Sequence, residues 1–120
     1  DINRDMKNSH LTKGHCVPCE GGAKPMDKKE IATYLTLLKT PWEVSENSKL
    51  ISKQFKLKDF KDAIEFVNQI AEIAEKQGHH PNISVYYNKV KIMLTTRAIK
   101  GLSMNDFIIA SKIEVLQDNS

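Results

Sequence analysis

The sequence has little of what would place it outside the ordinary globular class. It has no apolar run of ~18 or more residues, so no transmembrane helix is expected. No secretory signal pattern opens it, although it starts at Asp1 rather than at Met. Only two cysteines occur, Cys16 and Cys19, too few for a small secreted domain stapled by disulfides, so the cytoplasm is the default compartment. Charge is also near balance. Eighteen Lys+Arg against fifteen Asp+Glu give +3, with no dense basic run, which argues against nucleic acid as a partner. What remains is 120 residues with 40% apolar and 28% charged side chains, the composition of one soluble domain with one core.

The two cysteines form Cys16-Val17-Pro18-Cys19 in a Gly/Pro-rich leader, with His10 and His15 close by. A zinc clip is conceivable from that spacing, but no second Cys-x-x-Cys and no His-x-x-x-His follows. A redox pair would want a strand before it and a helix after it. Residues 1–25 hold turn formers and no sustained period, and read as a flexible N-terminal arm. No metal site is expected.

From residue 26 to 117 the pattern is that of a single domain. Asp27 precedes Glu30 by three, a capping-box start. Ile31, Tyr34, Leu35 and Leu38 follow at helical spacing until Thr40-Pro41. Trp42 to Val44 and Leu50 to Leu57 read as strands, with Trp42 a core or interface anchor. Phe60, Ala63, Ile64, Val67, Ile70, Ala71 and Ala74 form the apolar stripe of a long helix over 58–77, which Gly78 ends. Ile83, Val85 and Tyr87 alternate, as do Val90, Ile92 and Leu94, with Asn88-Lys89 expected as the turn. Ser103 to Asp106 is a second capping box, with Leu102 and Phe107 as its staple. The last helix is expected to turn Phe107, Ala110 and Ile113 inward. The order helix-strand-strand-helix-strand-strand-helix predicts an α+β fold, a four-stranded antiparallel sheet with three helices packed on one face.

Chemistry gathers between Glu75 and Asp106. Histidine exchanges protons near neutral pH, and His79 and His80 stand together at a helix-to-strand junction. Glu75 lies one helical turn before His79 and could hydrogen-bond it. Pro81 drives His80 toward an extended conformation, so the two imidazoles need not enter one site. No serine or cysteine nucleophile and no third metal ligand is spaced beside them. Capping is the structural alternative for this pair, since His⁺ suits a helix C-terminus.

The stretch Glu75-Lys76-Gln77-Gly78-His79-His80-Pro81-Asn82-Ile83-Ser84-Val85-Tyr86-Tyr87-Asn88-Lys89-Val90 closely resembles the signature of the pterin-4a-carbinolamine dehydratases. Leu94-Thr95-Thr96-Arg97 and Gly101-Leu102-Ser103 through Asp106 continue it, and the leader Cys16 to Gly22 looks like that of bacterial and plant-type members. The likeness spans roughly residues 11–116.

The resemblance implies dehydration of 4a-hydroxytetrahydrobiopterin to the quinonoid dihydropterin. That step recycles the pterin of aromatic amino acid hydroxylases, so a functional link to phenylalanine hydroxylase is implied. It implies a homodimer or homotetramer, with the pterin as substrate and no metal or other cofactor. The family places three histidines around the pterin. Carried over, His79 is the acid–base group, His80 orients the pterin, and the third position is Arg97, which stays protonated and can only bind or support. Glu75, Pro81, Thr95 and Thr96 complete the substrate-binding set, with Glu75 orienting His79. Asp106 is expected as a structural and orienting residue. Gly78 and Ile83 stand where many relatives carry an acidic residue and an aromatic. Two other functions stay open, a regulatory protein-interaction module and a pterin-site protein of molybdenum-cofactor metabolism.

Overall fold

The computed structural model describes residues 11–16 and 23–118. Helix α1 is Lys28–Leu35, strands β1 and β2 are Glu43–Val44 and Ile51–Lys56, and α2 is Phe60–Gln77. Strands β3 and β4 are Asn82–Tyr86 and Lys89–Leu94, a 3-10 turn covers Arg97–Ile99, and α3 is Met104–Asp118. The fold is α+β. All strand pairs are antiparallel, in the order β1-β2-β4-β3.

Local chemistry sets the element ends. Asp27 and Glu30 make the reciprocal capping box of α1. Asp59 caps α2 by accepting from the Asp62 amide at 2.8 Å, a bond that satisfies one of the free N–H groups of a first turn. Gly78 ends α2 at φ 65°, ψ 26°, a left-handed conformation that costs glycine nothing.

The inner face of the sheet carries Ile51, Phe55, Val90, Ile92 and Leu94. They form one core with Ile31 of α1, Ala63, Phe66 and Ile70 of α2, and Phe107, Ile109, Ala110 and Ile113 of α3. On the other face, Gln54, Lys56, Lys89, Lys91, Asn82 and Tyr86 are exposed.

Three details differ from expectation. The β3–β4 turn is Tyr87-Asn88, because Tyr86 pairs with Lys89. Asn88 is bound to the end of β2, accepting from the Leu57 amide and donating from its side chain to the Leu57 carbonyl, and the positive φ, 52°, falls on Tyr87. Second, α3 is covered nearly all round rather than on one stripe, with Ile108, Ser111 and Glu114 as buried as Phe107. Third, part of the segment read as a flexible arm supplies that cover. Residues 11–13 are helical, Leu11 joins the core, and Lys112 Nζ donates to the Thr12 carbonyl at 2.7 Å. Of the candidate zinc ligands, His10 and Cys19 lie outside the described residues, while His15 is exposed.

Trp42 is a core residue, 6% exposed, set edge-on to Phe55. Its indole N–H donates to Glu114 Oε2 at 3.3 Å. The same buried carboxylate accepts the Lys39 amide at 3.0 Å, the Thr40 amide at 2.8 Å and the Thr40 hydroxyl. Glu114→Ala leaves these donors without their acceptor. It is expected to lower unfolding free energy by about 3 kcal/mol, read from urea denaturation. Glu114→Gln, which retains one acceptor oxygen, should lose less.

Candidate functional site

The end of α2 decides how the two histidines part. With Gly78 left-handed, the His79 amide turns back to the Ala74 carbonyl at 3.3 Å. His79 then points inward and is 12% exposed, while the His80 side chain is 58% exposed. His79 Nε2 lies 2.6 Å from Oδ1 of Asp106, whose side chain is fully buried. His80 Nε2 lies 2.5 Å from Glu75 Oε2. Glu75 therefore serves His80, not His79 as the helical spacing led one to expect. The chain leaves its helix at Gly78, so the one-turn spacing from residue 75 no longer sets the neighbour. Glu75 is 76% exposed, and so open an ion pair contributes little holding energy.

Asp106 is the anchor of the site. Its Oδ2 accepts from the Ser103 amide at 3.0 Å and from the Thr96 hydroxyl at 2.8 Å. The first is the reciprocal capping bond expected from the sequence. The second spends the one hydroxyl proton of Thr96, so Ser103 Oγ, 2.7 Å away, donates to Thr96 Oγ1. Two donors, the Ser103 amide and the Thr96 hydroxyl, converge on Oδ2 of Asp106, as on an acceptor-only carboxylate. His79 therefore donates from Nε2, and Nδ1 is the ring nitrogen left to exchange a proton.

Thr96 is 3% exposed, so its part is to hold Asp106 rather than to meet a ligand with its hydroxyl. Thr95 Oγ1 donates to the Lys49 carbonyl at 2.5 Å. The bridge between Thr96 and Gly101 closes the loop that carries Arg97. A side chain at Gly101 would meet Pro25 at 2.5 Å, so this approach requires glycine. Arg97 is exposed, and its Nη2 donates to Asn82 Oδ1 at 3.4 Å.

These residues surround a cleft of about 290 Å³ lined by Gly78, His79, His80, Pro81, Asn82, Met93, Thr95 and Arg97. The structure thus gathers His79, His80, Pro81, Thr95 and Arg97, with Thr96 and Asp106 behind His79. Glu75 lines a neighbouring depression together with Cys16, Lys76 and Asn105, and His79 and Arg97 border both. Asn82 and Met93 were missed. Met93 had a signal in the sequence, since it is an apolar residue on the outward parity of β4, where Val90, Ile92 and Leu94 turn in. Among the described residues no group of three or more His, Cys, Asp or Glu could hold a metal ion. No helix among them is long and apolar enough to cross a membrane.

Fold and site together define an α+β domain whose cleft presents a carboxylate-anchored histidine beside a fixed cation. The sequence model described as pterin 4 alpha carbinolamine dehydratase matches residues 24–116, and the chain belongs to that family. A Rickettsia canadensis protein provisionally named as a pterin-4-alpha-carbinolamine dehydratase is 43% identical over 104 residues, 87% of this chain and 94% of that protein. A Halorhodospira halophila protein with the same provisional name is 39% identical over 106 residues, 88% of this chain and 96% of its own. Among solved structures, a transcriptional coactivator/pterin dehydratase from Brucella melitensis superposes with a TM-score of 0.73 at 31% identity, over 78% of this chain and 98% of that one. A pterin dehydratase-like protein identified as a RuBisCO assembly factor shares the fold at 20% identity and a TM-score of 0.57, over 65% of this chain and 90% of that one.

The arrangement predicts the tautomer of His79. A nitrogen-15 correlation spectrum of labelled protein above the imidazole titration range should show His79 protonated at Nε2. Asp106→Asn should abolish that preference, while a wild-type ring protonated at Nδ1 would contradict the geometry.

Proposed function

We propose that the protein dehydrates a pterin-4a-carbinolamine, with His79 as its acid–base residue. The observation that carries this reading is the His79–Asp106 pair at the wall of the cleft, with no hydrogen-bond partner for Nδ1 among the described residues. The chemistry asks for little more. The C4a hydroxyl must be protonated so that the C4a–O bond breaks and water departs. N5 must lose its proton, and its electron pair then forms the C4a=N5 bond of the quinonoid dihydropterin. One base that accepts the N5 proton and returns a proton to the leaving hydroxyl suffices, and the balance needs no oxidant, metal or further cofactor.

In this reading Asp106 holds the His79 ring and stabilises the imidazolium that forms, as a buried carboxylate does for a catalytic histidine. His80 and Pro81 bound the pterin, with Glu75 behind His80. Arg97 keeps its proton, so it donates hydrogen bonds to the departing hydroxyl or to the ring. The substrate would come from the turnover of pterin-dependent aromatic amino acid hydroxylases. A homo-oligomer and a working link to phenylalanine hydroxylase belong to the same proposal. The family's non-enzymatic alternative draws its support from Arg97, which removes one proton-transfer group from the cleft.

The test is turnover of chemically generated 4a-hydroxytetrahydropterin. The wild type should exceed the spontaneous rate, His79→Ala should lose roughly 10²–10⁴ of that enhancement, and Asp106→Asn should lose a comparable factor. A wild-type rate equal to the spontaneous one would remove the enzyme reading and favour the interaction module. Arg97→His should alter the rate and leave the fold intact.

A further inference from the structure

The sheet leaves one face uncovered by helices, and the cleft opens onto it. Across antiparallel strands, residues opposite one another share a face. Ser52 stands opposite Met93, and Met93 opposite Asn82, so one row crosses the floor of the cleft. The next row is Gln54, Lys91 and Ser84, and the one beyond is Lys56, Lys89 and Tyr86. Lysines scattered in the sequence are thus brought onto one surface that begins at the cleft. Lys56 and Lys89 lie directly opposite each other, a like-charge placement that costs stability. A second depression of about 410 Å³, lined by Pro41, Glu43, Ser52, Lys53, Gln54 and Lys91, adjoins the cleft along the Ser52–Met93 contact.

The charges facing this surface do not cancel. Among the described residues Arg97 has only the neutral Asn82 amide as partner, at a long 3.4 Å. Among the described residues no ion pair engages Lys91. The carboxylates near this surface are Glu75, which His80 engages, and Glu43, which stands opposite Ser52 and lines the second depression with Lys91, while Asp106 is sealed from solvent. The surface therefore carries net positive charge, with Arg97 at the rim of the cleft and Lys91, whose Cα lies about 7 Å along β4 from Met93, in the adjoining depression.

We infer that the site takes a reduced pterin whose side chain bears an anionic group, a phosphate ester or a carboxylate, received by Arg97 and Lys91. The inference rests on the pterin reading above and adds the substrate class to it. A guanidinium is a poor proton carrier and a strong, two-pronged ligand for an oxyanion, whereas an ammonium is a mobile point charge for the same purpose. A flat ring against His80, Pro81 and Met93 would send its substituent along the exposed face of β4, past Lys91. A neutral side chain would bring neither cation a counter-charge. An anionic one gives each a partner without leaving solvent, so little desolvation opposes it.

Equilibrium titration of the intact protein with neopterin, neopterin monophosphate and pteroylglutamate tests this. At low salt at least one anionic pterin should bind roughly tenfold or more tightly than neopterin, and ~0.5 M salt should shrink the ratio. Arg97→Gln and Lys91→Gln should each cut that ratio several-fold, Lys91→Gln should change neopterin binding by no more than about twofold, and Lys29→Gln on α1 should leave the ratio alone. Whichever anion gains identifies the class, phosphate or carboxylate. Equal binding of neutral and anionic pterins, or a preference that survives both substitutions, overturns the inference and leaves the pterin reading standing. Failure of all three to bind removes the pterin reading itself.

Discussion

A carboxylate with no contact to water must receive every hydrogen bond from the protein, because its solvation free energy is lost on burial. Asp106 imposes that requirement on three pieces of chain, namely the end of α2 through His79, the end of β4 through Thr96, and its own helix start through Ser103. None can move far without stranding a charge. Glu114, two turns further along α3, applies the same demand to the α1–β1 connection through Lys39, Thr40 and Trp42. The two acids sit about 12 Å apart on the helix axis. Between them they fix α3 at both ends, and apolar packing fills the length between. The candidate catalytic geometry is therefore a by-product of how the last helix is seated.

The adjacent histidines show how a single backbone conformation separates two identical side chains. A left-handed residue at position 78 breaks the helical register, and the next two residues leave in different directions. One imidazole becomes a mostly covered group bound to a buried carboxylate. The other stays in solvent with a loosely held partner. Sequence adjacency thus encodes difference here, since one ring is held by a buried carboxylate and the other lies open to solvent.

Much of this was legible in the residues. The capping box at Asp27, the reciprocal Asp106 bond of the second, the glycine stop after α2, the paired hairpins and the α+β arrangement follow from short-range patterns, and the structure carries each of them. What failed to show were relations set by tertiary contact. Glu75 was matched to His79 by helical spacing, which stops applying once the helix ends. The hairpin turn was placed one residue late, because the bonds of Asn88 to Leu57 reach a strand thirty-one residues away. The near-complete burial of α3 escaped a one-stripe reading, since its cover comes from residues 11–16 and from the Leu38–Trp42 stretch. Asp106 was legible as a cap, but its grip on His79 needed the fold.

The seating of α3 also sets an order of events during synthesis. His79, Thr96 and Trp42 are all translated before the acids that receive them. A nascent chain that has emerged only through β4 holds its strands and its histidines, yet it has no carboxylate to orient the ring. Its inner sheet face also still lacks Phe107, Ile109 and Ile113. Until α3 has cleared the ribosome and docked, the polypeptide is a sticky half-sandwich with no competent cleft. The carboxylate behind the cleft and the cover of the inner sheet face are then acquired in the same docking step.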